Sequence, residues 1–320
     1  MPSDEELVKK LMGEVKELSE VNRKLYACLD IGGTKIKHGV IDDQGNIIEQ
    51  GSCATEAFMG AEHIVKNCAV AVEIYKLKYD LSGIAVSTAG VVNTDTGSII
   101  FAGKHLPGYT GLNLKQRLES QCHLKCYVEN DVNCAGLGEY WLGRGQQAKS
   151  LVVLTLGTNI GGCIIIDGKL YHGAGYAAGE FGLMPVKDGM TFQERASARV
   201  LIEKLAKAKD MNPQDISLEQ FAQWYQEEDV DALNYVPLWE RELAHGLAQL
   251  CCVLNPEKII IGGGISEYGE LLLPGVQREM ARVLEPALLK NTEIAFAGLA
   301  NNAGMLGALY NFLSREREGM

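Results

Sequence analysis

The chain has 320 residues, 47% apolar and 22% charged, the composition of a soluble globular protein long enough for two domains with large cores. A net charge of −11 argues against a nucleic-acid surface, and no run of about eighteen apolar residues offers a membrane span. The acidic N-terminus is unlike a secretion signal, and nine cysteines without a C-x-x-C pair fit reduced, core-packed thiols better than a disulfide framework, so a cytoplasmic location is expected.

In chain order, Ser3-Asp4-Glu5-Glu6 opens a capping box, and Leu7, Leu11, Val15, Leu18, Val21 and Leu25 recur at helical spacing, predicting an amphipathic helix over residues 1–25. Leu29-Asp30-Ile31-Gly32-Gly33-Thr34-Lys35 follows, an apolar run broken by glycines that let backbone N–H groups approach an anion, with the Thr34 hydroxyl as a further donor. The pattern returns as Leu154-Thr155-Leu156-Gly157-Thr158-Asn159-Ile160-Gly161-Gly162. Each copy leads through a polar turn, Asp42-Asp43-Gln44-Gly45 or Asp167-Gly168, into another strand, so both read as strand, turn, strand, turn, strand. Two ordinary glycine-rich hairpins would also explain either copy alone.

Between the copies, Ile84 to Val92 reads as a buried strand, Leu114 to Gln121 as a helix, and Lys125-Cys126-Tyr127-Val128-Glu129 as a strand ending at Asn130-Asp131. Beyond them, Phe192 to Ala208 and Val236 to Leu254 read as long helices. Glu257 to Ile261 is a strand entering Gly262-Gly263-Gly264, and Asn301 to Gly307 opens a last helix.

Four segments in this order, Asp30 to Thr34, Glu129-Asn130-Asp131, Gly157 to Gly162 and Ile259 to Gly264, resemble the ROK family (repressors, unassigned open reading frames and sugar kinases) of the actin-like ATPase superfamily, from about Tyr26 to Tyr310. The resemblance implies an α/β fold of two ribonuclease H-like domains with a cleft between them. The first would span 26–130, completed by a C-terminal helix over 303–316, and the second 131–302. It implies an ATP-dependent kinase for the 6-hydroxyl of a hexose, acting as a homodimer or higher homo-oligomer.

The resemblance makes Asp131 the general base for the sugar hydroxyl. From sequence alone an Asp here suits a helix N-cap equally well. Asp30 beside a phosphate loop implies Mg²⁺, directly or through water, although it could also stabilise a turn. Gly32, Gly33, Thr34, Lys35, Gly157, Thr158 and Gly161 would cradle phosphates, and Gly262, Gly263 and Gly264 would lie against adenosine.

Gly90, Asn130, Asp131 and Glu180 stand at the family's sugar-binding positions, and His105 and Gln193 fall where an asparagine and a glutamate are usual. Glu180-Phe181-Gly182-Leu183 has leucine where most members carry a zinc-ligating histidine, and no cysteine lies between Cys163 and Cys251, so no zinc site is expected. Packing of Phe181, Leu183, Met184 and Phe192 is expected to hold this loop instead. A pocket with Gln193 at its anomeric end is less charged, which favours a β-glucoside over N-acetylmannosamine or free glucose. A sugar-responsive regulator and a non-catalytic sugar-binding protein are the alternatives from other classes. Asn159, in place of the usual loop glycine, is expected to tolerate left-handed backbone.

Overall fold

The computed structural model describes residues 23–318, so the expected helix before residue 23 lies outside them. Leu25 already belongs to the first strand. The first sheet is built from β1 (Leu25–Ile31), β2 (Lys35–Asp42) and β3 (Ile47–Ala54), then helix α1 (Ala61–Lys76) and β4 (Leu81–Thr88). A small hairpin, β5 (Val91–Asn93) and β6 (Ser98–Phe101), and helix α2 (Leu114–Cys122) precede β7 (Cys126–Asn130), which runs directly into α3 (Asp131–Leu142). The second sheet starts with β8 (Ser150–Leu156), β9 (Ile160–Ile166) and β10 (Lys169–Leu170). The hairpin β11 (Pro185–Lys187) and β12 (Met190–Thr191) follows, then α4 (Phe192–Ala196), α5 (Ala198–Ala208), α6 (Leu218–Gln226) and α7 (Val230–Leu254). The chain finishes through β13 (Lys258–Gly262), α8 (Gly269–Val283), α9 (Pro286–Leu289), β14 (Glu293–Phe296) and α10 (Ala303–Glu318).

The two sheets have the same plan. The first is ordered β3-β2-β1-β4-β7 and the second β10-β9-β8-β13-β14, each an antiparallel hairpin pair continued by parallel strands. The fold is therefore the expected pair of actin-like α/β halves. Asp167 and Gly168 both have positive φ (50° and 75°), the geometry of a tight hairpin turn, so this Asp-Gly pair was read correctly.

Strand parity decides what each face meets. In β1, Ala27, Leu29 and Ile31 pack in the cluster that contains Ile64, Val65 and Leu118 of α1 and α2, while Tyr26 and Cys28 join Cys134 of α3 and Leu306, Leu309 and Phe312 of α10. Asp30 shares the parity of Tyr26 and Cys28, so it faces α10. In β8, Val152, Leu154 and Leu156 point into the large helical core around Trp239, whereas Leu151 and Val153 meet Leu137 of α3. Thr155, the counterpart of Asp30 in the repeat, thereby faces α3. Helices α3 and α10 lie between the sheets and pack so closely that a Cβ on Gly307 would collide with the Cys134 carbonyl.

Helix limits differ from the sequence reading in two places. The helix expected over Phe192 to Ala208 breaks at Ser197, whose backbone is extended (φ −64°, ψ 156°). The freed carbonyls of Ala196 and Ser197 accept from the buried Trp239 Nε1 at 3.0 and 3.2 Å. Helix α7 begins at Val230 and not at Val236, because Asp229 caps it by accepting from the Asp231 and Ala232 amides, and Pro237 is carried inside the second turn.

Candidate active site

Asp131 stands at the C-terminal end of β7, where the parallel strands of the first sheet terminate and α3 starts. It is the first residue of that helix and not its cap. Asn130 is the cap: its Oδ1 accepts from the amides of Val132 (2.9 Å) and Asn133 (3.1 Å). Asn130 Nδ2 donates to the Gly90 carbonyl and to Asp131 Oδ1, both at 2.9 Å, so three of the expected sugar-site residues are directly joined. The Val132 amide also donates to Asp131 Oδ1, which leaves Oδ2 without a hydrogen-bond partner among the described residues. Surrounding protein and, second, the negative charge of Asp30 push the Asp131 carboxyl up to about 7.

Asp30 is flanked by its own cross-strand neighbours. In the β1–β2 register it pairs with Lys37 and in the β1–β4 register with Ser87. Ser87 Oγ donates to Asp30 Oδ1 at 2.7 Å, and Lys37 Nζ lies 3.6 Å from Oδ2 while also donating to the Asn301 carbonyl at 3.1 Å. Gly304, in the first turn of α10, lies so near that a Cβ there would sit 2.8 Å from Asp30 Cγ.

A cavity of about 320 Å³ collects Asp30, Gly32, Asp131, Thr155, Gly263 and Gly264, drawing on both halves of the repeat. A neighbouring cavity is lined by Gly157, Thr158, Arg199 and Gly264. Gly264 is common to both, so the cavity beside Gly32 and Asp131 and the one beside Gly157 and Thr158 adjoin at the glycine turn after β13. Gly263 has φ 87°, and a Cβ there would meet the Leu156 backbone at the end of β8. Gly161 lies against Val132 of α3 in the same region, where a Cβ would be 2.6 Å from Val132 Cγ2.

The remaining expected residues fall in separate places. Gly33, Thr34 and Lys35 are exposed at the β1–β2 turn, with the Lys35 carbonyl closing it by accepting from Gly32 N at 3.1 Å. His105 is exposed and lies over Gly33, its ring so close that a Gly33 Cβ would sit 3.1 Å from it, inside ordinary contact distance. Glu180 is exposed and opens the short helical turn Phe181–Leu183, and Gln193 Oε1 lies against Gly182 of that turn. No hydrogen bond joins His105, Glu180 or Gln193 to Asp131 among the described residues.

One expectation about a loop is corrected. Phe181 and Phe192 are buried as expected, but the Leu183 side chain is 58% exposed, and that residue's tie to the Glu180 loop is its backbone amide, which donates to the Glu180 carbonyl at 3.1 Å. The loop is held because Gly162 and Gly179 meet backbone to backbone and Phe181 covers Gly162. Asn159 does not have positive φ, so the second loop turns without left-handed backbone at that position.

Sequence reasoning missed Lys37, Ser87, Arg199 and Gly304. Lys37 was readable, since counting back across the β1–β2 hairpin puts it opposite Asp30. Ser87 and Gly304 depend on pairing between distant segments, for which one sequence carries no local signal. Arg199, whose Nε donates to the Thr158 carbonyl at 3.2 Å, likewise comes from a distant helix.

The donor set suits magnesium better than a closed protein cage. Asp30 and Asp131 are two nearby carboxylates whose repulsion a divalent cation would relieve, and Mg²⁺ is usually held by one or two carboxylates with the rest water and phosphate. Among the described residues no group of three His, Cys, Asp or Glu side chains is placed to hold a metal alone.

Residues 26–315 match the family model described as ROK family. The β-glucoside kinase of Listeria monocytogenes is 34% identical over 91% of this chain and 98% of its own length, and the glucokinase of Halalkalibacterium halodurans 32% identical over 88% and 93%. The solved ROK family glucokinase of Streptomyces griseus, in complex with glucose and AMPPNP, superposes with a TM-score of 0.78 at 29% identity, covering 92% of this chain and all of that one. With the duplicated sheet plan and the shared cleft already in place, these matches show that the chain belongs to the ROK family.

Proposed function

We propose that the protein is an ATP-dependent carbohydrate kinase that phosphorylates the 6-hydroxyl of a hexose or hexose derivative, with β-glucosides as preferred acceptors. The observation that carries the kinase reading is Asp131: a carboxylate with one oxygen fixed by Asn130 and Val132 and the other without a hydrogen bond among the described residues, lining a cavity with Asp30, Gly32, Thr155 and Gly263. Such a group can orient a hydroxyl and take its proton as the oxygen attacks phosphorus. The new bond joins the sugar oxygen to the γ-phosphorus, the bond from that phosphorus to ADP breaks, and the hydroxyl proton passes to Asp131.

The backbone of Gly32, Gly157 and Thr158 would receive phosphate oxygens, and the turn Gly262–Gly264 would take the nucleoside. Asp30, held by Ser87 and Lys37, would hold Mg²⁺ through water, and that ion, when bound, neutralises phosphate charge. Gly90, Asn130, Glu180, Gln193 and His105 would contact the sugar. A cytoplasmic homo-oligomer without structural zinc completes this reading.

The β-glucoside preference rests on the neutral Gln193 beside Gly182, the exposed Leu183 that follows it, and the β-glucoside kinase among the relatives. The glucokinases among the relatives support a second reading, free glucose as acceptor. A coupled ADP-release assay across cellobiose, glucose, N-acetylmannosamine, N-acetylglucosamine and fructose tests both. The highest kcat/KM is expected for cellobiose, by a modest factor, because room for a substituent removes a clash without adding strong hydrogen bonds. Rejection of cellobiose with efficient use of glucose would replace the first acceptor by the second, and turnover of none would remove the kinase reading.

A further inference from the structure

On the other side of α3 from the ATP cleft, a cavity of about 420 Å³ opens between the β9–β10 turn and α10. Asn311, Ser314 and Arg315, three and four residues apart, present one face of α10 to it, and Lys169 and His172 line it from the second half. Asn311 is only 6% exposed, and it lines this cavity. A ligand in the cavity would therefore meet the Asn311 amide.

The charge around the cavity runs against that of the chain. Arg315 is engaged by Asp95 (3.2 Å) and Thr94, and Lys169 lies 3.5 Å from Glu318, while Arg317 has no ion pair among the described residues. Lys169, Arg315 and Arg317 thus line the cavity with the single carboxylate of Glu318, on a protein whose net charge is −11. His172 ties the cavity to the catalytic end of β7. Its Nε2 meets Glu129 Oε2 at 2.8 Å, and Glu129 Oε1 accepts from the Asn130 amide (2.8 Å) and Asn133 Nδ2 (2.9 Å). Asn130 in turn holds Asp131.

We propose that this cavity is an effector site for a small hydroxylated phosphomonoester, such as a sugar phosphate. Lys169 and Arg317 receive the phosphate, and Asn311 and Ser314 receive hydroxyls. His172 transmits occupancy through Glu129 to Asn130 and Asp131, so that binding changes turnover and not only ground-state affinity.

The test is isothermal titration of the full chain with glucose 6-phosphate, and separately with inorganic phosphate, after saturation with a non-hydrolysable ATP analogue and a sugar acceptor. Heat of binding does not depend on turnover, so its failure is distinguishable from failure of the kinase reading. Glucose 6-phosphate should bind with the ATP cleft filled, at least about tenfold more tightly than inorganic phosphate. Lys169→Glu and Arg317→Glu should each weaken it about tenfold or more at unchanged melting temperature. At saturating ATP and sugar, glucose 6-phosphate should change kcat at least about twofold, and His172→Gln should remove that change while binding persists. No binding with the cleft filled, indifference to both charge reversals, equal affinity for inorganic phosphate, or binding without a change in kcat would each overturn the proposal.

Discussion

Asn130 and Asp131, adjacent in sequence, divide two tasks: Asn130 caps α3 with its oxygen and, with its nitrogen, fixes Asp131 Oδ1 at 2.9 Å. Because the cap is supplied next door, the second oxygen of Asp131 makes no hydrogen bond among the described residues. Asn130→Asp preserves a capping oxygen but loses the donors to Gly90 and Asp131 and sets another negative charge beside Asp131. The substitution should leave the melting temperature within a few degrees of the original while lowering kcat about tenfold or more, checked by thermal melting and steady-state kinetics.

The pH profile follows from the position of Asp131. Its carboxyl is raised to about 7 by its surroundings and by Asp30, and only the ionised form accepts a proton. The account predicts that kcat/KM falls as pH drops below about 7, with a slope near one proton, at limiting magnesium. Raising magnesium should move this limb to lower pH, because a cation near Asp30 favours the charged carboxylate. A flat profile between pH 5 and 8 at limiting magnesium would contradict the assignment.

The glycines of the cleft separate into two kinds. Gly263 has positive φ and lies against the Leu156 backbone, so Gly263→Ala should cost about 2 kcal/mol or more of stability and weaken ATP binding. Gly157 has neither constraint: a Cβ there meets nothing within 4 Å. Gly157→Ala should fold normally and raise the KM for ATP, since the added methyl occupies the space phosphates would approach. Melting curves and ATP titrations of the two variants distinguish the cases.

Much of this arrangement was legible in the sequence and the remainder was not, for physical reasons. The repeat was readable because each copy is local: apolar run, glycine turn, apolar run, then a polar turn, Asp42-Asp43-Gln44-Gly45 or Asp167-Gly168. Asp30 and Lys37 could be paired by hairpin counting. The Asp30–Ser87 bond needs the parallel β1–β4 register, set by α1 packing across more than fifty intervening residues, and the approach of Gly304 needs the last helix to return between the sheets. Leu183 was misread because its apolar character suggested burial, whereas glycine backbone contacts hold that loop.

Glu240 gives a prediction about stability. It is fully buried on α7, with Oε2 accepting from Arg278 at 2.9 Å and Oε1 unpaired, and burial first of all raises its carboxyl from 4.5 to about 7. Below pH 4.5 the group is neutral whether folded or unfolded. Between about 4.5 and 7 the unfolded chain loses the proton first, so stability declines as pH rises and then levels off. The full decline is on the order of 3 kcal/mol. Glu240→Gln should remove this slope, gaining stability over the original at pH 8 and little at pH 4.5, as read by denaturant unfolding at both pH values.

The most direct measurement is steady-state and single-turnover kinetics of Asp131→Asn with ATP, magnesium and the best acceptor sugar. Asparagine keeps the shape of the side chain and the contact to the Val132 amide but cannot take the proton. The account predicts a fall in kcat of about 10²- to 10⁴-fold, with sugar affinity changed only a few-fold and the melting temperature retained. Turnover within a few-fold of the original would contradict the central claim and leave Asp131 a structural residue at the start of α3.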